Sequence, residues 1–139
     1  MTRDDKAKEG TLLKYRMPDA MEVIGLPGSL AELRFIHDEI FVGQVYSRHG
    51  IEIREGDCVF DVGANVGLFT LFAASRADKL TVLAFEPSPP TFAALKSNID
   101  AFLKTHGDQG HTVKLFEHAL SDAEGEAEIS WYASMPGNS

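Results

Sequence analysis

The segment Asp61-Val62-Gly63-Ala64-Asn65-Val66-Gly67 constrains the fold of this chain more than any other feature, because of what flanks it. Cys58-Val59-Phe60 and Val62 form a short apolar run, and Leu80 to Phe85 form another. Neither run alternates cleanly, which suits parallel strands buried on both faces. Between them, Gly67 to Ala77 is apolar almost all round, as a helix packed on a sheet and covered by neighbours would be. Strand, helix and strand within about thirty residues make a βαβ unit with a right-handed crossover. Gly63 can adopt backbone angles closed to other residues and lets a ligand approach the main chain. Gly67 lets the helix start tight against the strand. Ala64 and Asn65 are expected to line the loop with their N–H groups pointing into the crevice.

The alternation continues on both sides. Thr11 to Tyr15 and Met21 to Ile24, joined at Pro18-Asp19-Ala20, read as a hairpin. Ser29-Leu30-Ala31-Glu32 matches a capping box, and Leu30, Leu33, Ile36 and Ile40 follow helical spacing behind it. A helical turn over Val42 to Arg48 closes at Gly50, and Glu55-Gly56-Asp57 is a tight turn. Ser88-Pro89-Pro90-Thr91 starts a helix, Ser88 as its cap, with Phe92, Leu95, Ile99, Phe102 and Leu103 on one face and an end near Gly107. His111 to Phe116 is a third strand, Ser121 to Gly125 a turn, and Glu126 to Tyr132 a final strand. The acidic residues Asp122, Glu124, Glu126 and Glu128 then mark a solvated hairpin edge.

Glu86 ends the second strand of the unit, 19 residues after Gly67. A carboxylate there can accept hydrogen bonds from both ribose hydroxyls of an adenosine ligand. Pro87 behind it offers a stiff apolar edge for a purine. Dinucleotide sites usually read G-x-G-x-x-G, the middle glycine making room for a pyrophosphate. Here Asn65 stands in that place, and Asp61 adds a negative charge that suits an ammonium and a sulfonium better than phosphates. S-adenosylmethionine carries both cations and no phosphate, so the residues favour it as cofactor over NAD.

Charge narrows the partners. Formal net charge is −8, from 21 acidic and 13 basic residues, and the Lys and Arg residues are scattered. No basic surface for phosphates is visible, so nucleic acid is disfavoured. No apolar run approaches the roughly 20 residues of a membrane span. The charged start, Met1 to Gly10, lacks a signal peptide's apolar core, and one cysteine excludes an internal disulfide. A cytoplasmic, reducing location is expected.

At the quoted motifs the chain resembles the FkbM family of methyltransferases. The resemblance rests on Cys58 to Thr70, Ala84-Phe85-Glu86-Pro87, the Phe92…Leu95…Asn98 helix and Ala119-Leu120-Ser121-Asp122…Gly125, and runs from about Glu39 to the C-terminus. It implies a Rossmann-like class I methyltransferase fold of α/β type, truncated after the third parallel strand and a following hairpin. Family members O-methylate small molecules, sugars and polyketide-type products, some as domains of larger synthases. By resemblance Asp61, Gly63, Ala64, Asn65, Gly67 and Glu86 are cofactor contacts, and the stretch around Ala119 borders the adenine. The family continues with a strand ending in an Asp-Val-Glu-Gly-like segment that has no counterpart here. The expected organisation is a flexible leader (1–10), an N-terminal hairpin and helix cap (11–57) and the cofactor-binding half of a methyltransferase domain (58–139), incomplete at its C-terminus. A small-molecule or carrier-bound methyl acceptor, and a second chain or downstream segment completing the sheet, are the expected partners.

Other chemistry-bearing residues read as structural. The histidines at 37, 49, 106, 111 and 118 show no ligand spacing, are expected at the surface or in loops, and give no metal site. Cys58 reads as a small buried hydrophobe in a core strand. Glu39, Tyr46 and His49 precede the motif where a ligand could reach, with packing or surface roles preferred. No residue identifies itself as a general base. Two other classes stay open: a non-catalytic half-domain serving as an interaction or scaffold module, and a fragment of a dinucleotide-binding oxidoreductase.

Overall fold

In the computed structural model, which describes residues 11–130, the hydrophobic pattern resolves into two small sheets and three helices. The expected leader, residues 1–10, lies outside the described residues. Strands β1 (Leu13–Arg16) and β2 (Glu22–Gly25) form the antiparallel hairpin, with Tyr15 opposite Val23. Helix α1 (Leu30–His37) follows and continues into a wider π-helical turn, Asp38–Val42, and a 3₁₀ turn, Val45–Ser47. Strand β3 (Cys58–Val62), helix α2 (Leu68–Ala74), strand β4 (Thr81–Phe85), helix α3 (Pro89–His106) and strand β5 (Thr112–Phe116) complete the order.

β3, β4 and β5 lie side by side in that order, all parallel. Two βα crossovers stepping the same way leave both helices on one face of the sheet, the Rossmann-like arrangement. That face is dry: Val82, Ala84, Leu71, Phe72, Leu95 and Ile99 are all buried. Leu33 and Val23 join the same core from α1 and the hairpin. Asn98 of α3 ties the layers together. Its amide nitrogen donates to the Ile24 and Val66 carbonyl oxygens, and its amide oxygen accepts the Ile24 N–H.

The opposite face corrects the expectation of strands covered on both sides. Phe60 and Val62 of β3 are 58% and 59% exposed, and Cys58 is exposed rather than a core hydrophobe. Burial of a strand face depends on a layer supplied by other segments, and none of the described residues supplies it here. Phe60, Phe85 and Phe116 instead stack on one another across the strands, with ring centroids 6.3 Å and 4.7 Å apart.

Other local expectations also shift. Ser29 does not form a capping box: its hydroxyl donates to the Leu26 carbonyl, and its ψ of 1° is not the extended geometry an N-cap uses. Ser88 occupies the N-cap of α3, but its hydroxyl oxygen accepts from Thr91 instead of from the helix backbone. Residues 126–130 form no strand, and Trp131 and Tyr132 lie outside the described residues. The stretch from Glu117 to Ser130 is exposed throughout and brings no apolar face to the core, so nothing there stabilises a hairpin. His37 is 1% exposed, its ring against Phe41 at 4.9 Å and its Nε2 2.9 Å from the Asp19 carboxylate, because the inner face of α1 closes over the hairpin turn. Among the described residues no helix is long and apolar enough to cross a membrane.

Candidate functional site

Parallel strands end together, and the loop after β3 lies where their carboxyl ends open a crevice. Three of its residues take left-handed backbone angles: Gly63 (φ 74°), Asn65 (φ 52°) and Gly67 (φ 94°). The glycines do different things. A Cβ on Gly63 would meet nothing within 4 Å, so that position is open to an approaching ligand. A Cβ on Gly67 would stand 2.7 Å from Leu95 Cδ1, so its bareness serves the packing of α2 on α3 rather than on the strand.

The loop's N–H groups are committed within the protein, contrary to the expectation that Ala64 and Asn65 aim them into the crevice. Gly63 and Ala64 both donate to the Phe85 carbonyl at 2.9 Å, and Asn65 donates to Glu86 Oε2 at 2.9 Å. Glu86 is buried, and its other oxygen accepts the Ser88 N–H at 2.9 Å. The carboxylate therefore staples the glycine loop to the start of α3. Each of its oxygens has one further lone pair, so a ribose could still be accepted.

Asp61 is buried at the end of β3 and accepts the Thr70 hydroxyl at 2.6 Å. Burial raises its pKa above the usual 3.8, the Thr70 hydroxyl and backbone N–H pull it down, and the negative Glu86 adds to the rise. The site therefore carries an anion short of compensation.

A cleft of about 450 Å³ opens in front of this loop, lined by Asp61, Gly63, Ala64, Asn65, Glu39 and Tyr46, with Ile36, Ile40, Phe60, Val62, Val66, Leu68 and Phe69 as its apolar walls. The structure thus gathers Asp61, Gly63, Ala64 and Asn65, while Gly67, Glu86 and Pro87 stand outside the lining. Glu39 and Tyr46, read from sequence as packing or surface residues, face the cleft; His49 does not. No short-range signal marks them, since they arrive on the π-helical and 3₁₀ turns rather than on the glycine loop. Tyr46 packs on Phe69, ring centroids 4.9 Å apart. A second groove of about 370 Å³ lies between the hairpin, α2 and α3, near Met21, Leu71 and Phe102. Among the described residues, no group of three His, Cys, Asp or Glu side chains is placed to hold a metal.

No family model matches the chain. Over 123 residues it is 47% identical to the 31-O-demethyl-FK506 methyltransferase FkbM of Streptomyces tacrolimicus, a match covering 84% of this chain and 45% of that protein. By sequence, the chain is similar to an FkbM methyltransferase over most of its own length. The chain is also 31% identical over 126 residues to Methyltransferase 1 of Beauveria bassiana, a match covering 91% of this chain and 47% of that protein. The AMB antimetabolite synthetase AmbE of Pseudomonas aeruginosa is 38% identical over 132 residues, 95% of this chain but 6% of the synthetase. The chain thus spans about half the length of the two methyltransferases and a small part of the synthetase.

Proposed function

We propose that this chain is the cofactor-binding half of an S-adenosylmethionine-dependent O-methyltransferase acting on a small molecule or on a carrier-bound natural-product or sugar intermediate. The observation that carries the reading is the charge of the cleft: Glu39 and Asp61 line it, and no Lys or Arg does. A pyrophosphate would meet two carboxylates and no cation there, whereas a ligand with sulfonium and ammonium charges is favoured. The open left-handed position at Gly63 fits close approach of such a ligand to the main chain.

When bound, S-adenosylmethionine supplies a methyl group that passes from its sulfonium to an acceptor oxygen. Asp61 would place its negative charge near the ligand's cations, Gly63 to Asn65 would border the ligand, and Glu86 and Pro87 would receive the ribose and purine where the strand ends turn away. Gly67 acts indirectly, by setting α2 against α3. Aligned displacement chemistry requires water to be kept from the reacting groups, which the apolar walls would do once a further layer covered Phe60 and Val62. No catalytic base is assigned. The names of two relatives, one a methyltransferase of 31-O-demethyl-FK506 and one an antimetabolite synthetase, support a natural-product acceptor.

Residues 11–57 serve as a cap bringing Glu39 and Tyr46 to the cleft, and 58–139 as the cofactor-binding half. Exposed Phe60 and Val62 fit a further layer, from a downstream segment or a second chain, laid over the open sheet face. Calorimetric titration of the full chain with S-adenosylhomocysteine and with NADH separates the classes. Saturable binding of the former alone, weakened at least about tenfold by Glu86→Ala, is the expected result. NADH binding in its place would make the chain a dinucleotide protein, and binding of neither would leave a scaffold module.

A further inference from the structure

The π-helical turn after α1 is an unusual device, and it has a visible cost. Its closing bond runs from the Gly43 N–H to the Asp38 carbonyl at 2.7 Å. A Cβ at position 43 would stand 3.0 Å from the Glu39 carbonyl, a tight contact that glycine avoids. Such single wide turns are frequent at functional sites. Here the turn brings both Glu39 and Ile40 to the cleft, Ile40 buried as part of its apolar wall and Glu39 exposed.

The Glu39 carboxylate has no hydrogen-bond or ion-pair partner among the described residues. The Arg48 guanidinium, beyond the 3₁₀ turn, donates twice to the Gly43 carbonyl, at 3.1 and 2.9 Å, and forms no ion pair with Glu39. The other carboxylate of the cleft, Asp61, is buried and bonded to Thr70. Glu39 is therefore the anion of this cleft that is exposed and unengaged, and it lines the cleft together with the glycine loop, Tyr46 and Phe69.

We propose that Glu39 is a positioning residue that binds the ammonium of the ligand's amino-acid moiety, so that the cleft selects nucleosides bearing an amino acid over nucleosides lacking one. The inference rests on the methyltransferase reading above and adds to it the residue that recognises the amino-acid end. An ammonium–carboxylate contact is charge-assisted and loses most of its strength when the carboxylate becomes an amide.

The test compares two ligands on the full chain, S-adenosylhomocysteine, which has the ammonium, and methylthioadenosine, which lacks the amino-acid group. Glu39→Gln should weaken S-adenosylhomocysteine about tenfold and leave methylthioadenosine within about twofold. Glu39→Asp should recover part of the loss, and an unchanged melting temperature and circular dichroism spectrum would show that each variant is folded. Unchanged S-adenosylhomocysteine affinity in Glu39→Gln, or equal weakening of both ligands, would overturn the inference while leaving the methyltransferase reading intact. A wild-type chain that binds neither ligand would overturn both.

Discussion

Gly67→Ala should destabilise the chain by about 2–4 kcal/mol, combining left-handed backbone strain with overpacking. The backbone at 67 sits at φ 94°, and the new methyl would press on Leu95 Cδ1 from 2.7 Å. Leu95 is fully buried between α2 and the sheet, so it has little room to retreat. Urea unfolding would report the loss as a lower midpoint with an unchanged slope. Gly63→Ala is the informative partner. It carries similar left-handed strain but no contact, so it should cost only about 1 kcal/mol while weakening ligand binding. Equal stability losses at the two positions would refute the division of labour between a packing glycine and a ligand-facing one.

Asp61→Asn should separate stability from binding. The Thr70 hydroxyl can still donate to the amide oxygen, so the local geometry survives while the buried charge is removed. Burial raises the Asp61 pKa above 3.8, so the folded chain holds this proton more tightly than the unfolded one does. Stability from that proton is fully present below the unfolded value and is lost as pH rises through the folded value. Near neutral pH the ionised aspartate is therefore a burden, and the Asn variant should melt higher than the wild type. The gap should close as pH falls through the raised pKa, because the wild type then becomes neutral too. Cofactor binding should move the other way, with at least about a tenfold loss once the carboxylate that faces the cation is gone. Melting curves across acid pH, with binding measured near neutrality, check both halves. A variant that melts lower at every pH would mean that the fold compensates the Asp61 charge, contrary to this account.

The legible parts of this molecule were those encoded within short stretches. Cys58 to Val62, Leu80 to Phe85 and the glycines between them are close in sequence, and their spacing fixes strand, turn and helix together. The spacing also placed Asp61 and Gly63 at a ligand-sized opening. Burial was less legible because it depends on distant segments. Cys58, Phe60 and Val62 look like core residues, yet they face a side of the sheet that no described segment covers. His37 looks like a surface histidine, yet the hairpin turn closes over it. Competition for hydrogen bonds was equally hidden. Nothing local to Ala64 and Asn65 shows that their N–H groups are taken, because the Phe85 carbonyl and the Glu86 carboxylate reach them only through the sheet. Glu39 and Tyr46 reach the cleft only through the π-helical and 3₁₀ turns, and helical periodicity read one residue at a time does not foresee an inserted wide turn.

The most direct test of the central claim is an amide NMR titration of the isotope-labelled full chain with S-adenosylhomocysteine. The account predicts saturable shifts centred on Gly63, Asn65, Tyr46 and Glu39, with Asn65 also reporting any change at Glu86 through its hydrogen bond. Shifts confined to the groove near Met21, Leu71 and Phe102, or none at all in a folded chain, would contradict it.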